Sequence, residues 1–399
     1  MKKKLLFVID SLAIGGAEKS LVTLLNLMDY SRYDVDLLLF VQGGAFQQLL
    51  PEQVNLLPVP EYFVYNTIPW FKLMDKIKVP KMMISQLRYS AALRIRKHNN
   101  IEEAVLFWES CRNSFKEMEQ DYAVAIAYGQ GVPTFLVGEK VKAKKKAAWI
   151  NATYRPQGRY LDFIRPIYAK YDIVNAVSES VAIQVKETFR IHDNKIMVMK
   201  DILDVEFAIK MAKMPSEVEK DMAGEGIKIL TVGRLANMKG YDMAINAAKI
   251  LKDAEMSFKW YAIGEGELRK ELEDLINHHG LEEEFILLGS RSNPYPYFQA
   301  CNLYVQTSTF EGFGIALAEA KMFNKPIVST NFPAVYEQFT NEENGLIVGS
   351  TAQGIANGIM RMSNDSELRE RCIANVRAEK KGNPEEIEKL YKFIYGETL

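Results

Sequence analysis

Residues 303–320 read LYVQTSTFEGFGIALAEA, and this stretch decides how the rest of the chain is interpreted. The segment 303–306 indicates a short strand, a loop containing Gly312 and Gly314 follows it, and a helix begins near Ile315. Glycines let the backbone approach a ligand closely, and a helix N-terminus presents amide groups and a positive dipole end. The stretch therefore predicts a phosphate site between a strand and a helix.

Two carboxylates flank these glycines, Glu311 in the loop and Glu319 on the helix. On one continuous helix, a spacing of eight would separate them by about 80° around the axis and about 12 Å along it. Because Glu311 precedes the helix, the two can instead contact different parts of one long ligand. The alternative is an unrelated pair, a surface glutamate beside a turn and an ordinary helical glutamate.

Short apolar runs alternate with longer amphipathic runs on both sides of this stretch. Such alternation predicts parallel sheets with right-handed helical crossovers. A first series of predicted strands comprises 5–9, 35–40, 123–128, 147–150, 173–177 and 196–199. A second series comprises 227–232, 258–263, 285–288, 303–306 and 327–329. The polar region 209–226 separates the two series and indicates the passage between two domains.

The bulk properties agree with two folded domains. A chain of 399 residues suits two domains of roughly 150 to 200 residues each, and 48% hydrophobic with 25% charged residues is typical of a soluble protein. The formal net charge of -1 gives no overall field that would attract nucleic acid. The three cysteines are far apart and form no CxxC pair, which disfavours disulfides and thiolate zinc sites and favours a reducing cytoplasm.

A basic loop follows the first strand of the second series. Arg234 and Lys239 lie in the run Gly233 to Gly240, at the carboxyl end of the predicted strand 227–232. This edge is where open α/β sheets bind ligands, and a rigid guanidinium with a compact ammonium suits the two phosphates of a diphosphate. The alternative is a surface basic pair at the start of a helix.

The segment 55–116 interrupts the alternation and is interpreted as an elaboration of the first domain. It begins with a group of aromatic residues and continues with a basic series: Tyr62, Phe63, Tyr65, Trp70, Phe71, Lys72, Lys76, Lys78, Lys81, Arg88, Arg94, Arg96 and Lys97. Two interpretations stay open: an amphipathic surface for anionic lipid and a lipid-linked acceptor, or a solvated face over core aromatics. A second basic run, 140–146, is expected to be a solvated loop.

Weaker signals follow other predicted strands. Gly264 lies in a strand-to-helix turn, and Gly15 and Gly16 follow the first strand, where their amides could meet an anion. Asp10 closes that strand and is expected to be either a local cap or a ligand contact. No GxGxxG fingerprint is present, which disfavours a nicotinamide or flavin oxidoreductase, and the four histidines show no metal-ligand spacing.

Taken together, these motifs resemble the GT-B glycosyltransferases of family 4, which make bacterial polysaccharides and glycolipids with retention. The resemblance covers nearly the whole chain. Its matching pieces, in chain order and spacing, are 15–18, 177–180, 233–240, 264–266 and the pair Glu311 and Glu319. It implies an α/β fold of two Rossmann-like domains facing across a donor-binding cleft: 1–205, with the elaboration at about 55–116, and 206–382. The last segment, 383–399, would hold a helix that crosses back to the first domain.

The resemblance also implies roles for individual residues. Arg234 and Lys239 would hold the donor diphosphate and neutralise the leaving group, so that no metal and no further cofactor is needed. Glu311 would contact the donor sugar and Glu319 the ribose. The remaining implied donor contacts are Gly15, Gly16, Gly233, Gly264, Arg291 beside the base, and the loop residues Gly312, Phe313, Gly314 and Ile315.

One position departs from the family pattern. Many members carry histidine after Trp-Ile, whereas this chain has Asn151, which can bond a sugar hydroxyl but cannot carry a proton at neutral pH. The expected reaction is transfer from a nucleotide sugar, with a UDP-sugar favoured, to a glycan, lipid-linked or protein acceptor for cell-surface polysaccharide such as capsule. The expected location is cytoplasmic, including the inner face of the membrane. The alternatives are a non-catalytic partner of another glycosyltransferase and a nucleotide-sugar epimerase.

Overall fold

The computed structural model describes residues 2–69 and 79–397 of the chain. Within these residues the strands form two separate sheets, and every strand pairing is parallel. This confirms the α/β class expected from the alternation of apolar and amphipathic runs. In the described ranges, no helix is both long enough and apolar enough to cross a membrane.

The strands of the first sheet are β1 (Lys3–Ile9), β2 (Tyr33–Leu39), β3 (Val54–Leu56), β4 (Asp121–Ala127), β5 (Lys142–Ile150), β6 (Ile173–Ala176) and β7 (Ile196–Val198). Their order is β3-β2-β1-β4-β5-β6-β7. The helices described with them are α1 (Gly16–Leu27), α2 (Glu61–Thr67), α3 (Pro80–Leu93), α4 (Asn100–Cys111), α5 (Val132–Lys140), α6 (Gly158–Tyr168) and α7 (Glu179–Phe189). Residues 5–8 of β1 are fully buried, as expected for a parallel strand covered on both faces.

The strands of the second sheet are β8 (Ile227–Val232), β9 (Phe258–Ile263), β10 (Phe285–Gly289), β11 (Leu303–Gln306), β12 (Ile327–Thr330) and β13 (Leu346–Val348). Their order is β10-β9-β8-β11-β12-β13. The helices of this part are α8 (Val205–Ala212), α9 (Val218–Asp221), α10 (Tyr241–Asp253), α11 (Arg269–His279), α12 (Tyr295–Ala300), α13 (Ile315–Met322), α14 (Ala352–Asn364) and α15 (Ser366–Ala378).

The second sheet is covered by apolar side chains on both faces. Leu303 and Val305 of β11 enter one buried hydrophobic cluster, whereas Tyr304 between them enters another. Successive side chains of a strand point to opposite faces, so the two clusters lie on the two sides of the sheet. A doubly covered sheet leaves its strand ends as the places where polar side chains can meet a ligand.

The chain divides into two compact units, one of residues 1–201 with 385–399 and one of residues 202–384. The last helix, α16 (Ile387–Tyr395), belongs to the first unit. There the ring of Tyr391 stacks on Tyr33 with 5.3 Å between centroids, and its hydroxyl accepts the amide hydrogen of Asp29 at 3.0 Å. The region 209–226, expected to be the passage between domains, carries part of α8 and all of α9 and lies inside the second unit.

The expectation of a solvated loop at 140–146 is wrong. β5 begins at Lys142 and pairs with β4 from its first residue, so most of this basic run is strand. Lys145 shows how the strand accommodates lysines, because its ammonium group reaches across to donate to the carbonyl of Phe393 at 2.8 Å. The sequence also missed β3 and β13, which have three residues each.

Candidate functional site

The candidate site of the second unit lies where its strand order reverses. β8 and β11 are neighbours in the sheet, but the chain continues from β8 to one side and from β11 to the other. In open α/β sheets the loops that leave such neighbouring strands diverge and form a ligand crevice. The two loops here are 233–240, after β8, and 307–314, after β11.

Two hydrogen bonds to backbone carbonyls hold these two loops together. The amide of Thr309 donates to the carbonyl of Met238 at 2.9 Å, and the Thr307 hydroxyl donates to the carbonyl of Lys239 at 2.7 Å. Gly240 has a left-handed φ of 63°, and a Cβ there would lie 2.2 Å from the carbonyl oxygen of Thr307. The close approach of the loops therefore requires glycine at this position.

The centre of the site is an ion pair between the loops. The Lys239 ammonium lies 2.6 Å from Oε1 and 2.8 Å from Oε2 of Glu311. The two side chains are only 20% and 10% exposed. The structure therefore brings together two of the three residues that the sequence singled out as catalytic.

Two residues that the sequence reasoning missed also contact Glu311. The amide nitrogen of Gln306 donates to Oε1 at 2.7 Å, and the hydroxyl of Ser308 donates to the same oxygen at 2.6 Å. Gln306 closes an otherwise apolar strand, and this polar residue at the end of an apolar run is the signal in the sequence that could have marked its position.

The third predicted catalytic residue, Arg234, is paired elsewhere. Its guanidinium donates to Oε2 of Glu267 at 3.0 Å, and both side chains are more than half exposed. An exposed pair of this kind contributes about 0–1 kcal/mol to stability, so Arg234 can exchange partners readily.

The glycines at the carboxyl ends of β8, β9 and β10 lie side by side. The amide of Gly233 donates to the carbonyl of Ile263, and that of Gly264 donates to the carbonyl of Gly289 at 3.0 Å. A Cβ on Gly264 would lie 1.9 Å from the carbonyl oxygen of Gly233. Packing of neighbouring strand ends thus accounts for glycine at position 264, which the resemblance implied as a donor contact.

The loop before α13 has the expected helix start. Gly312, Phe313 and Gly314 precede the helix, and Gly314 has φ 88° at its N-cap, a conformation that side chains rarely adopt. Ile315 is its first helical residue, and Gln338 holds the loop by donating to the carbonyl of Phe313 at 2.5 Å. The positive end of α13 is therefore next to Glu311 in the chain.

Glu319, which the resemblance implied as a ribose contact, is almost completely buried. It is 2% exposed on α13. Burial, followed by the charge of Glu319 and its hydrogen bond, holds the pKa of Tyr295 well above its usual range. In the described state, Glu319 is thus tied to the tyrosine at the start of α12.

Arg291 forms a second cluster beyond the end of β10. Its guanidinium donates to Oδ2 of Asp221 at 2.8 Å and to the Tyr297 hydroxyl at 3.0 Å. Burial alone would raise the pKa of Asp221, but the bonds from Tyr297 and Arg291 and the charge of Arg291 outweigh it and lower the pKa. Arg291, which was expected beside the nucleobase, is therefore held by the carboxylate of Asp221.

The predicted residues of the first unit follow β1 and β5. Gly15 precedes α1, and a Cβ on it would lie 2.2 Å from a carboxylate oxygen of Glu18. Gly16 is the first residue of α1. Asn151 follows β5, and its amide donates to the carbonyl of Tyr128 at 3.0 Å.

Two carboxyl groups of the first unit have strongly raised pKa values. Asp10 keeps an exposed surface, yet reduced hydration, with a smaller contribution from the charge of Glu18, raises its pKa to about 6. Asp201, which is 5% exposed, has its pKa raised to about 7 by burial, although a hydrogen bond with Ser20 acts in the opposite direction. Sequence reasoning missed Asp201 because no motif surrounds it.

Comparisons with known proteins show which sequences and structures this chain is similar to. Residues 216–379 match the family model "Glycosyl transferases group 1". A Campylobacter jejuni relative named N-acetylgalactosamine-N,N'-diacetylbacillosaminyl-diphospho-undecaprenol 4-alpha-N-acetylgalactosaminyltransferase is 26% identical over 370 residues, 92% of each chain. The capsular polysaccharide biosynthesis glycosyltransferase CapM of Staphylococcus aureus is 26% identical over 58% of this chain and 64% of its own length. The structure of Anabaena Alr3699/HepE with UDP and glucose superposes with a TM-score of 0.71 at 17% identity, covering 99% of this chain and 100% of that one.

Proposed function

Because the chain is a group 1 glycosyltransferase of the GT-B fold, related to bacterial enzymes of lipid-linked glycans and capsules, we propose that it transfers a sugar from a UDP-sugar to a lipid-linked glycan with retention. The observation that carries the proposal is the largely buried Lys239–Glu311 pair at the reversal point of the second sheet. In the proposed reaction, the lysine of this pair binds the diphosphate and the carboxylate binds the sugar.

The charges on the two loops suit a leaving nucleoside diphosphate. Lys239 supplies a compact charge near Glu311, and Arg234 supplies an exposed guanidinium from the same loop. Positive groups placed where charge develops stabilise the transition state, so these residues replace a metal ion in the proposed reaction. Glu311 contacts the donor sugar and Glu319 the ribose, which requires Glu319 to exchange its bond with Tyr295 for the ligand.

The remaining donor contacts of the proposal come from both units. In the second unit they are Gly233, Gly264, Arg291, Gly312, Phe313, Gly314 and Ile315. In the first unit they are Gly15, Gly16 and Asn151. Arg291 reaches the base from the cluster that it forms with Asp221.

In the proposed reaction, the acceptor oxygen attacks the anomeric carbon from the same face that the nucleoside diphosphate leaves, so the configuration at that carbon is retained. The bond between the anomeric carbon and the phosphate oxygen breaks, and an acceptor oxygen bonds to that carbon on the same face. The acceptor proton passes to the departing phosphate oxygen, so that nucleoside diphosphate and glycoside form without an external acid. Glu311 holds the sugar while this exchange takes place.

A lipid-linked acceptor is supported by an exposed face of α3 as well as by the named relative. Ile84 and Leu87 are about half exposed and recur with the exposed Ala91 at helical spacing. Lys81 and Arg88 flank this stripe and are also exposed. An apolar stripe beside cations fits the surface of an anionic bilayer, and we place the enzyme there, at the inner face of the membrane.

The excess of basic residues on α3 continues in the sequence on either side of this helix, including residues outside the described ranges. Between 76 and 101 the chain has seven lysines and arginines and no aspartate or glutamate. Part of the expected aromatic-basic elaboration, namely Trp70, Phe71, Lys72, Lys76 and Lys78, lies outside the residues that the structure describes. The proposal for the membrane surface rests on α3.

Donor binding is tested by thermal unfolding with a panel of UDP-, GDP- and CDP-sugars. A ligand at 100 times its dissociation constant adds roughly 2.7 kcal/mol to the free energy of unfolding, which is easily measured. We expect a UDP-sugar to stabilise the protein and Arg234→Ala to weaken this stabilisation. Glu267→Ala should preserve it, because this change removes the carboxylate that pairs with Arg234 and leaves the guanidinium in place. If no nucleotide sugar stabilises or is turned over by the folded protein, the proposal fails, and co-purification with another transferase would favour a partner subunit.

Membrane contact is tested by flotation with phosphatidylglycerol vesicles, with phosphatidylcholine vesicles for comparison. We expect Leu87→Glu to abolish binding to the anionic vesicles. Ile183→Glu, on α7 of the same unit, introduces the same charge at a site that is 60% exposed and should leave binding unchanged. Equal binding by the two variants would contradict the role of α3.

A further inference from the structure

The carboxylate of Glu311 is anchored through one of its two oxygens. Oε1 accepts hydrogen bonds from Lys239, Gln306 and Ser308, at 2.6, 2.7 and 2.6 Å. A carboxylate oxygen has about two lone-pair sites, so three donors saturate it. Oε2 contacts Lys239 at 2.8 Å and is the oxygen that can turn to a ligand.

Gln306 and Ser308 form a closed arrangement around this oxygen. Gln306 donates one amide hydrogen to Glu311 and the other to the Ser308 hydroxyl at 2.6 Å, and Ser308 passes its own hydrogen to Glu311. Gln306 is 2% exposed and Ser308 is fully buried. Buried donors of this kind lose little to competing water and hold their acceptor in one position.

Tyr304 fixes which way the Gln306 amide faces. The hydroxyl of Tyr304 donates to the amide oxygen of Gln306, and the two residues lie on the same face of β11 because they are two apart. Burial holds the pKa of Tyr304 well above its usual range, so the hydroxyl keeps its proton. With its oxygen occupied, the Gln306 amide must present its hydrogens to Glu311 and Ser308.

Of the three side chains that donate hydrogen bonds to Glu311, Lys239 is the one that changes partner when a nucleotide sugar binds. In the proposed function, its ammonium moves to the diphosphate, whose two phosphates attract it more strongly than one carboxylate. Glu311 then loses a neutralising partner at the moment when it must hold the sugar. Gln306 and Ser308 do not contact the diphosphate in this scheme and can remain in place.

We infer that Gln306 and Ser308 are positioning residues, which keep Glu311 aimed at the donor sugar through Oε2 after Lys239 has moved to the diphosphate. This inference rests on the proposed function and adds to it the residues that make the carboxylate effective without its lysine. A misplacement of about 1 Å at such a group costs about 10²-fold in rate, so two short bonds suffice to matter.

The test compares Gln306→Met, which keeps the length of the side chain but has no N–H groups, and Ser308→Ala. Three quantities are measured for each: kcat for UDP-sugar turnover, the dissociation constant of UDP by calorimetry, and the midpoint of thermal unfolding. We expect kcat to fall by about 10- to 100-fold. UDP affinity should stay within about twofold, because UDP has no sugar for Glu311 to hold. Ser329→Ala, which removes a buried hydroxyl from the neighbouring strand β12, should leave kcat unchanged.

A double variant separates positioning from general destabilisation. In a Glu311→Gln background, adding Gln306→Met should lower kcat little further, because Gln306 then has no carboxylate to position. Additive losses, or a loss of UDP affinity equal to the loss of kcat, would overturn the inference. If Gln306→Met does not fold, Ser308→Ala carries the same test.

The proposed function can fail separately. Wild-type protein that turns over no nucleotide sugar contradicts the proposed function itself. Wild-type turnover that is lost in Glu311→Gln but kept in both Gln306→Met and Ser308→Ala contradicts only the positioning role.

Discussion

At the scale of single residues, the site contains two ion pairs that differ in their surroundings. Lys239 and Glu311 are largely buried, whereas Arg234 and Glu267 are more than half exposed. Breaking a buried pair by removing one partner leaves an uncompensated charge, while an exposed pair is screened by water and salt. We therefore expect changes at Lys239 to affect both folding and catalysis, and changes at Arg234 to affect catalysis alone.

Asp201 predicts a pH dependence of stability in the first unit. Burial raises its pKa from the ordinary aspartate value of 3.8 to about 7, so the folded state binds the proton more tightly than the unfolded state. The stability from this group is fully present below about pH 4 and is lost as pH rises through 7. Each unit of pKa shift corresponds to about 1.4 kcal/mol, so the effect amounts to a few kcal/mol.

Urea unfolding of Asp201→Asn between pH 4 and 8 checks this prediction. The variant carries no charge at any of these pH values, so its free energy of unfolding should exceed that of the wild type increasingly as pH rises. Asp162→Asn, at an exposed position on α6, serves as the control and should run parallel to the wild type. A constant difference between wild type and Asp201→Asn would show that the carboxyl does not titrate as described.

Sequence reasoning reached part of the site at this scale. The proximity of Lys239 and Glu311 could be predicted because both follow neighbouring strands of a parallel sheet. The role of Gln306 could not, since it depends on the orientation that Tyr304 imposes on the amide. The burial of Glu319 could not be predicted either, because it depends on which face of α13 packs against Tyr295.

At the scale of elements, the site depends on how closely two loops approach. Gly240 combines a left-handed φ of 63° with a Cβ position 2.2 Å from the Thr307 carbonyl oxygen. Gly280, after α11, has nearly the same φ of 61° but open space around its Cβ position. Substitution of Gly280 therefore measures backbone strain alone, whereas substitution of Gly240 measures strain together with a collision between the loops.

We expect Gly280→Ala to cost about 1 kcal/mol, the usual penalty for a side chain in the left-handed region. Gly240→Ala should cost more and should also lower kcat, because the loops must separate and carry Lys239 away from Glu311. Denaturant unfolding and donor turnover of the two variants measure both effects. Equal losses of stability, with turnover kept in Gly240→Ala, would show that the loop contact does not hold the ion pair.

The elements themselves were largely predictable from sequence. β8, β9 and β11 have the bounds expected from their apolar runs. β5 was predicted too short because its lysines read as a loop, and tertiary contacts such as that of Lys145 with Phe393 override the local pattern. β3 and β13 were missed because Asn55 interrupts the apolar run of β3 and Gly349 ends that of β13 after three residues, whereas the apolar run of the equally short β7 continues to Met199.

At the scale of the whole molecule, the two units share a strand order but differ in what their strand ends carry. The first four strands of each sheet are arranged alike, with the order reversing between β1 and β4 and between β8 and β11. The second unit presents the ion pair and the glycine-rich helix start, and the first presents Asp10 and the glycines before α1. The alternation in the sequence predicts both sheets, whereas the assignment of the last helix to the first unit came only from the resemblance.

The central claim is that the Lys239–Glu311 site performs retaining transfer from a UDP-sugar. Proton NMR of UDP-α-sugar hydrolysis without acceptor tests it directly, by following the first anomer of free sugar released by wild type and by Glu311→Gln. We predict that the α-anomer forms first. Glu311→Gln leaves Lys239 without its carboxylate, so its thermal unfolding midpoint should fall, and at temperatures where the variant is folded its turnover should be slower by about 10²-fold. Release of the β-anomer first, or equal rates for the two proteins, would contradict the account.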